Sequence, residues 1–488
     1  MIGLPKELSS SPSRSSASYV DGSIANISTA VGVRYFKANQ DHPPFRLFYP
    51  AAEEDASTSS KAVVPVRWFE VTNINNDNNK QGVDVLTTPS SASSSLVNFL
   101  KGYAEVVFSL RTNKPRLFRY IVVPFLTIVS WLLPVRWLRI PNLYRNAPIL
   151  VSKTLSTNTM NESTKQQPQL LPIILFSHGL TGTGEENTIL CMEWAKHGYI
   201  VLSVHHTDGS SCCVPLFDDD DDDDDDGRCT ELYYRHGPPR TKSEYDPSFR
   251  PNQLHYRVKE LLQAYHFVIG TTTNTNINKN NNDDAAVRNQ NNVPKEIQQR
   301  VDTDRVIAAG FSFGAATAAL AVTTHKTLFC GGVFLDGWFR VDLQQSVGIA
   351  FKMPHEAFVN DDNGFPSNKF PTLFINSEQF QSYPELFAAT MELATKNNHP
   401  NNSEKKKTTR TRMRTSSRVN GGGGDNNTNN DNDDLPIHVI PGTGHQNFCD
   451  IVFWLPDWML KLFMNPADPA QAYIDIVRLS IDFLEKIE

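Results

Sequence analysis

Ser312 stands at the centre of Gly310-Phe311-Ser312-Phe313-Gly314, a G-x-S-x-G pattern with a strand-like apolar run at 305–309 before it and an alanine-rich stretch at 315–320 after it. In that strand–turn–helix setting the pattern predicts a cramped turn that lifts the hydroxyl clear of a sheet and lets the following helix pack close. The first N–H groups of that helix then point at the reacting centre. A serine hydroxyl is a poor nucleophile at neutral pH, so it needs an imidazole to take its proton and an acid to orient the imidazole. In α/β-hydrolases these follow in the chain order Ser, Asp or Glu, His.

Asp336 closes the apolar run 332–335 and is the expected acid; Asp342 is the nearest rival but lies beyond the strand end. Thirteen histidines compete for the role of base. His445 is expected to fill it, because the loop 442–448 follows directly on the strand-like segment 437–440 and can carry a side chain over the nucleophile. His438, within that strand, is less suited. A tetrahedral oxyanion needs two donors, expected to be the backbone N–H groups of Phe313 and of Leu180, the latter in the loop after the apolar run 172–177. His178 is expected to shape that loop rather than to transfer protons.

These residues need a scaffold that brings strand ends together. Short apolar segments at 172–177, 199–204, 305–309, 332–335, 372–375 and 437–440 alternate with helical patterns through 193–195, over 254–269 and over 472–487. Such alternation predicts an α/β-hydrolase fold, a mainly parallel central sheet with helices on both faces. Two earlier strands are expected at 45–50 and 64–71, one of them on an edge because prolines cannot donate to a ladder. Residues 1–40 are Ser-rich and read as a disordered N-terminal segment, leaving one domain over 41–488. Within it, the polar tracts at 72–100, 210–245, 271–295 and 396–434 read as disordered, low-complexity inserts.

Composition narrows the function classes. Only 39% of the 488 residues are hydrophobic, and the formal charge of −7 arises partly from the run 218–226. No basic stripe interleaved with aromatics appears, which argues against nucleic acid as a partner. The aspartate run lacks the spaced ligands and turn glycine of a calcium loop and reads as a solvated, self-repelling tract. Six cysteines without C-x-x-C pairs or regular spacing argue against zinc and against a disulfide framework, so neither metal nor cofactor is expected. A reducing, cytoplasmic compartment fits, and the N-terminus shows no cleavable signal.

The segment 117–140 raises the question of membranes. Its uncharged core, 120–135, is flanked by Arg116, Arg119, Arg136 and Arg139 and is shorter than the roughly 20 residues a spanning helix needs. Pro124 and Pro134 weaken a straight span further. Flanking arginines with Trp131 and Trp137 suit an interfacial helix among lipid headgroups; a buried packing segment and a true span stay open.

At the residues just described the chain resembles the platelet-activating factor acetylhydrolases, also called lipoprotein-associated phospholipases. Phe176-Ser177-His178-Gly179-Leu180 is similar to the family's oxyanion loop, and His197-Gly198-Tyr199-Ile200-Val201 to the segment after it. Gly310 to Thr317 resembles its nucleophile elbow, with Phe311 where the family commonly has His. Leu335-Asp336-Gly337-Trp338 resembles its acid segment, Phe374-Ile375-Asn376-Ser377-Glu378 with Phe380 its F-I-N-S-E-x-F signature, and His445-Gln446-Asn447-Phe448 its base loop. The resemblance implies calcium-independent removal of short or oxidised acyl chains from the sn-2 position of phospholipids, with a membrane surface met through 117–140. Two alternatives keep the same sequence features: a carboxylesterase or polyester hydrolase on soluble esters, and a non-catalytic lipid-surface binding protein built on the same fold.

Overall fold

The computed structural model describes residues 30–38, 41–51, 64–67, 102, 139–150, 169–217, 229–233, 248–271, 293–343, 349–352, 370–398, 414–415, 437–454 and 468–487. They divide into two compact units, one drawn from 30–233 and 259–303 and the other from 248–258 and 304–487.

In the first unit the strands are β1 (Ala30–Phe36), β2 (Phe45–Ala51), β3 (Val64–Arg67), β4 (Arg139–Arg145), β5 (Leu171–Ser177) and β6 (Ile200–Val204). Their order is β5-β6-β2-β1-β4-β3. β5 and β6 run parallel, as do β1 and β4, while β2 is antiparallel to both of its neighbours. Every residue of β5 is buried, which is what a continuous apolar run does when both faces of a strand are covered. β3 carries Pro65 at the edge of this order, with a register shift after it, as a strand missing an N–H donor requires. Helix α1 (Thr188–Lys196) is buried along its whole length, and its Lys196 neutralises Glu193 at 2.7 Å.

Two expected boundaries move here. Ala30–Phe36 is a buried strand paired along its length with β2, so residues 30–36 are ordered structure within the segment 1–40 expected to be disordered. Gly32 makes this pairing feasible, because a Cβ there would lie 2.2 Å from the Tyr49 ring. Likewise, Ser210 to Val214 are buried, and a hairpin of β7 (Cys213–Phe217) and β8 (Cys229–Tyr233) lies inside the expected 210–245 insert. The aspartate run between these two strands lies outside the described residues.

His205, just after β6, is sealed inside this unit, with the Tyr35 ring 5.8 Å away edge-on. Burial, helped by the nearby Arg46 guanidinium, pushes its pKa from 6.5 down to about 3. The folded state therefore resists a proton that the unfolded chain accepts, so stability falls as pH drops below about 6.5 towards 3. Each pH unit costs up to about 1.4 kcal/mol from this group alone. Thermal melting of His205→Leu beside the parent chain at pH 7.5, 6 and 5 is expected to show the parent losing more stability on acidification.

The second unit follows the alternating pattern closely. β9 (Val301–Phe311), β10 (Phe329–Leu335), β13 (Thr372–Ser377), β15 (Ile437–Ile440) and the two-residue β14 (Arg414–Thr415) are parallel in the order β14-β15-β13-β10-β9. β11 (Arg340–Leu343) and β12 (Ile349–Lys352) form a separate hairpin. Of the helices in chain order, α2 (Phe249–Val268) covers the expected 254–269 pattern, its residues from 259 onward counting with the first unit, as does the short α3 (Lys295–Gln298). α4 (Phe313–Thr324) follows Ser312 and is buried on every side through Thr323. Its alanines leave no side-chain bulk to hold it away from the sheet. α5 (Glu378–Gln381) and α6 (Pro384–Asn398) follow β13; α7 (Ile451–Trp454) and α8 (Pro469–Leu484) close the chain. Asp468 caps α8 by accepting from the Ala470 N–H at 3.0 Å, with Pro469 in the first turn where a missing donor costs nothing.

Described structure also reaches into the expected inserts at 271–295 and 396–434. Val293 is buried ahead of α3, α6 runs to Asn398, and β14 pairs with β15. The 72–100 tract lies outside the described residues, as does the apolar segment up to residue 138; Arg139 and Ile140 open β4. Among the described residues no helix is long and apolar enough to cross a membrane.

Candidate active site

The nucleophile turn is fixed by backbone geometry before any side chain acts. Ser312 adopts φ 57° and ψ −119°, in a region that side-chain-bearing residues seldom enter. Its N–H donates to the Leu335 carbonyl at 2.9 Å, and its own carbonyl accepts from Trp338 N at 3.2 Å. Gly310 is obligatory, since a Cβ there would lie 2.2 Å from the Gly314 carbonyl oxygen. Phe313 then opens α4, whose Ala315 and Ala316 N–H groups turn back to the Ser312 carbonyl at 3.1 and 3.4 Å. The Arg257 guanidinium lies 4.8 Å over the Phe313 ring and packs that first turn in place.

Asp336 ends β10, fully buried and with φ 45°, its N–H donating to the Ile375 carbonyl at 2.7 Å. Its carboxylate accepts from Ser377 N at 2.8 Å, from Ser377 Oγ at 3.0–3.1 Å and from His445 Nδ1 at 2.6 Å. Because a carboxylate can only accept, the His445 proton sits on Nδ1. Nε2 therefore turns its lone pair to Ser312 Oγ, 3.0 Å away. The structure thus brings together the three side chains that the sequence singled out. His438 stays in β15 opposite Ile375, and Asp342 belongs to the β11–β12 hairpin. Leu180 is half-buried in the loop after β5, where the next residue, Thr181, has φ 65° and donates its N–H to the Ser210 carbonyl at 2.7 Å.

The imidazole is also held by aromatic rings. Phe311 stacks on His445 with centroids 4.8 Å apart, and the Trp338 indole is tilted 5.3 Å away. Phe448 lies parallel to Phe311 at 6.3 Å, so the base loop and the nucleophile strand share one aromatic stack. Beside Asp336 and His445 lies a small cavity of about 70 Å³, walled mainly by Trp338, Phe380, Tyr383 and Leu386.

What sequence reasoning did not assign is the work of the turn after β13. Ser377 grips the acid, while the two residues after it grip the base loop. Glu378 Oε2 accepts from Gly442 N at 2.6 Å, Gln379 Oε1 from His445 N at 3.1 Å, and Gln379 N donates to the Thr443 carbonyl at 3.0 Å. The signal was the position of Ser377-Glu378-Gln379 at a strand end, between acid and base in the chain. Removing the hydroxyl in Ser377→Ala leaves the backbone donor to Asp336 but frees one side of the carboxylate. A hydrogen bond to a charged group is worth about 1.5–3 kcal/mol, so a roughly 10-fold fall in kcat is expected, with KM little changed; steady-state kinetics on a soluble ester checks it.

Parallel strands with covering helices and a serine on a strained strand–helix turn define an α/β-hydrolase. A profile of the family described as platelet-activating factor acetylhydrolase, isoform II, matches residues 142–488, and the chain belongs to that family. Platelet-activating factor acetylhydrolase of Gallus gallus is 27% identical over 43% of this chain and 44% of its own length. That of Bos taurus is 27% identical over 44% and 41%. The matched part of the chain thus spans under half the length of these two relatives. A putative phospholipase A2 of Schizosaccharomyces pombe is 23% identical over 65% of this chain and 68% of its own. A ferulic acid esterase from Streptomyces cinnamoneus aligns over 94% of this chain and 89% of its own with a TM-score of 0.45 and 13% identity.

Proposed function

We propose that the chain is a serine hydrolase that cleaves the sn-2 ester of phospholipids bearing short or oxidised acyl chains, without calcium. The observation that carries the reading is the unbroken hydrogen-bond path from Ser312 Oγ through His445 to Asp336. Ser312 attacks the ester carbonyl while His445 Nε2 accepts its proton, and Asp336 steadies the imidazolium that forms. The N–H groups of Phe313 and Leu180 stabilise the oxyanion. His445 then protonates the departing lysophospholipid oxygen, and water activated by the same imidazole clears the acyl-enzyme.

Family membership and the names of the relatives support a lipid ester as substrate. The segment 117–140 is the proposed contact with the lipid surface, on the strength of its apolar core and flanking arginines.

The test compares the purified chain on sn-2 acetyl phospholipid in vesicles with short-acyl p-nitrophenyl esters in solution, both with chelator present. Preference for the phospholipid, with activity retained in chelator, is the expected result. Turnover of soluble esters alone would replace the reading with a carboxylesterase. Failure of Ser312 to label with a fluorophosphonate would replace it with a non-catalytic lipid-binding scaffold.

A further inference from the structure

The buried polar groups around the end of β5 take no part in the chemistry above, yet they form one continuous chain of hydrogen bonds. We propose that Glu260, His206, Ser177 and His178 are positioning residues that lock the Gly179–Leu180 peptide and so orient the Leu180 N–H. This rests on the assignment of that N–H as an oxyanion donor.

The chain starts on α2. Glu260 Oε1 accepts from Thr207 N at 2.9 Å, and Oε2 lies 2.8 Å from His206 Nδ1. A carboxylate only accepts, so His206 carries a proton on Nδ1 and meets Ser177 Oγ through Nε2 at 2.8 Å. This Ser–His–Glu order imitates a catalytic triad, but Ser177 and His206 are 0% exposed and Glu260 is 3% exposed. No substrate reaches it, so the arrangement builds the loop rather than performing chemistry.

The next link fixes a tautomer. The backbone N–H of His206 donates to His178 Nε2 at 3.2 Å, which requires Nε2 to be bare and puts the proton on Nδ1. That Nδ1–H donates to the carbonyl of Gly179 at 2.8 Å. Gly182 N adds a second donor to the same oxygen at 3.3 Å. In a planar trans peptide the N–H points opposite to the C=O. Tying the Gly179 carbonyl on one side therefore presents the Leu180 N–H on the other. Ser211 Oγ, 2.7 Å from the His206 carbonyl and 3.2 Å from His178 Nε2, closes the ring of contacts.

The test exploits the difference between two amides at position 178. Asparagine places its NH2 near the position of imidazole Nδ1 and retains a donor to Gly179; glutamine reaches to the Nε2 position and loses it. Kinetics on a soluble acetyl ester and melting temperatures are measured for His178→Asn, His178→Gln and Glu260→Gln, with Ser312→Ala alongside. Losing a preorganised oxyanion donor outright costs about 10²–10³ in kcat, so misorienting one is expected to cost roughly 10- to 100-fold in His178→Gln. KM should stay within about 3-fold and His178→Asn should recover most of the rate, because the donor acts mainly in the transition state. Glu260→Gln, which offers one acceptor oxygen where the two carboxylate oxygens serve the Thr207 N–H, the Thr207 hydroxyl and His206 Nδ1, should fall between them. Equal loss in Asn and Gln variants, loss that follows melting temperature alone, or parent-like kcat in His178→Gln each overturn the proposal. Residual turnover in Ser312→Ala would instead overturn the hydrolase reading beneath it.

Discussion

Ser312→Ala is expected to lower kcat by roughly 10³-fold or more, with KM for a soluble ester little changed. Alanine keeps the Cβ of serine, so the backbone at φ 57° and the contacts to Leu335 and Trp338 are retained while the attacking oxygen is removed. The comparison is thus between a complete site and one lacking only the hydroxyl proposed to form the acyl-enzyme. Single-turnover kinetics and fluorophosphonate labelling report the loss directly. A variant that still turns over within 10-fold of the parent would mean that another group attacks the ester.

Asp336→Asn is expected to cost roughly 10³- to 10⁴-fold in kcat while leaving the fold intact. The wild-type carboxylate accepts from three directions: the Ser377 N–H, the Ser377 hydroxyl and His445 Nδ1. An amide can satisfy Ser377 with its oxygen only by turning its NH2 towards His445. The imidazole must then accept at Nδ1 and carry its proton on Nε2, which faces Ser312 and can no longer take a proton from it. The loss is therefore one of tautomer rather than of position. Activity assays joined to melting curves separate this from unfolding; a variant inactive only because it melts early would argue against the tautomer account.

The parts of the fold legible in the sequence were those whose residues state their own environment. β5, β6, β10, β13 and β15 are mainly apolar runs, fully buried in β5, β6 and β13 and broken only by half-buried Cys330 in β10 and His438 in β15, and each was expected within a few residues of its observed limits. β1 and β4 were not expected, because each depends on its neighbours. In β1, Gly32 leaves space for the Tyr49 ring, whose hydroxyl donates to the Ala147 carbonyl at 2.8 Å. In β4, Pro141 and an Asn142 with φ 61° interrupt any alternation. The same distinction holds at the site. Ser312, Asp336 and His445 were legible because their chemistry demands those residue types in that chain order at strand ends. The grip of Ser377, Glu378 and Gln379 was not, because hydrogen bonds that cross 41, 64 and 66 positions leave no local pattern.

That grip separates the imidazole's placement from the path by which the chain arrives. Glu378 and Gln379 clamp the loop at Gly442, Thr443 and His445, whatever length of polypeptide joins α6 to β15. For an unstructured loop, each doubling of length costs only about 0.6 kcal/mol in closure entropy. The proposed catalytic site is accordingly expected to tolerate lengthening or trimming of this connection, so long as the turn that follows β13 is left untouched.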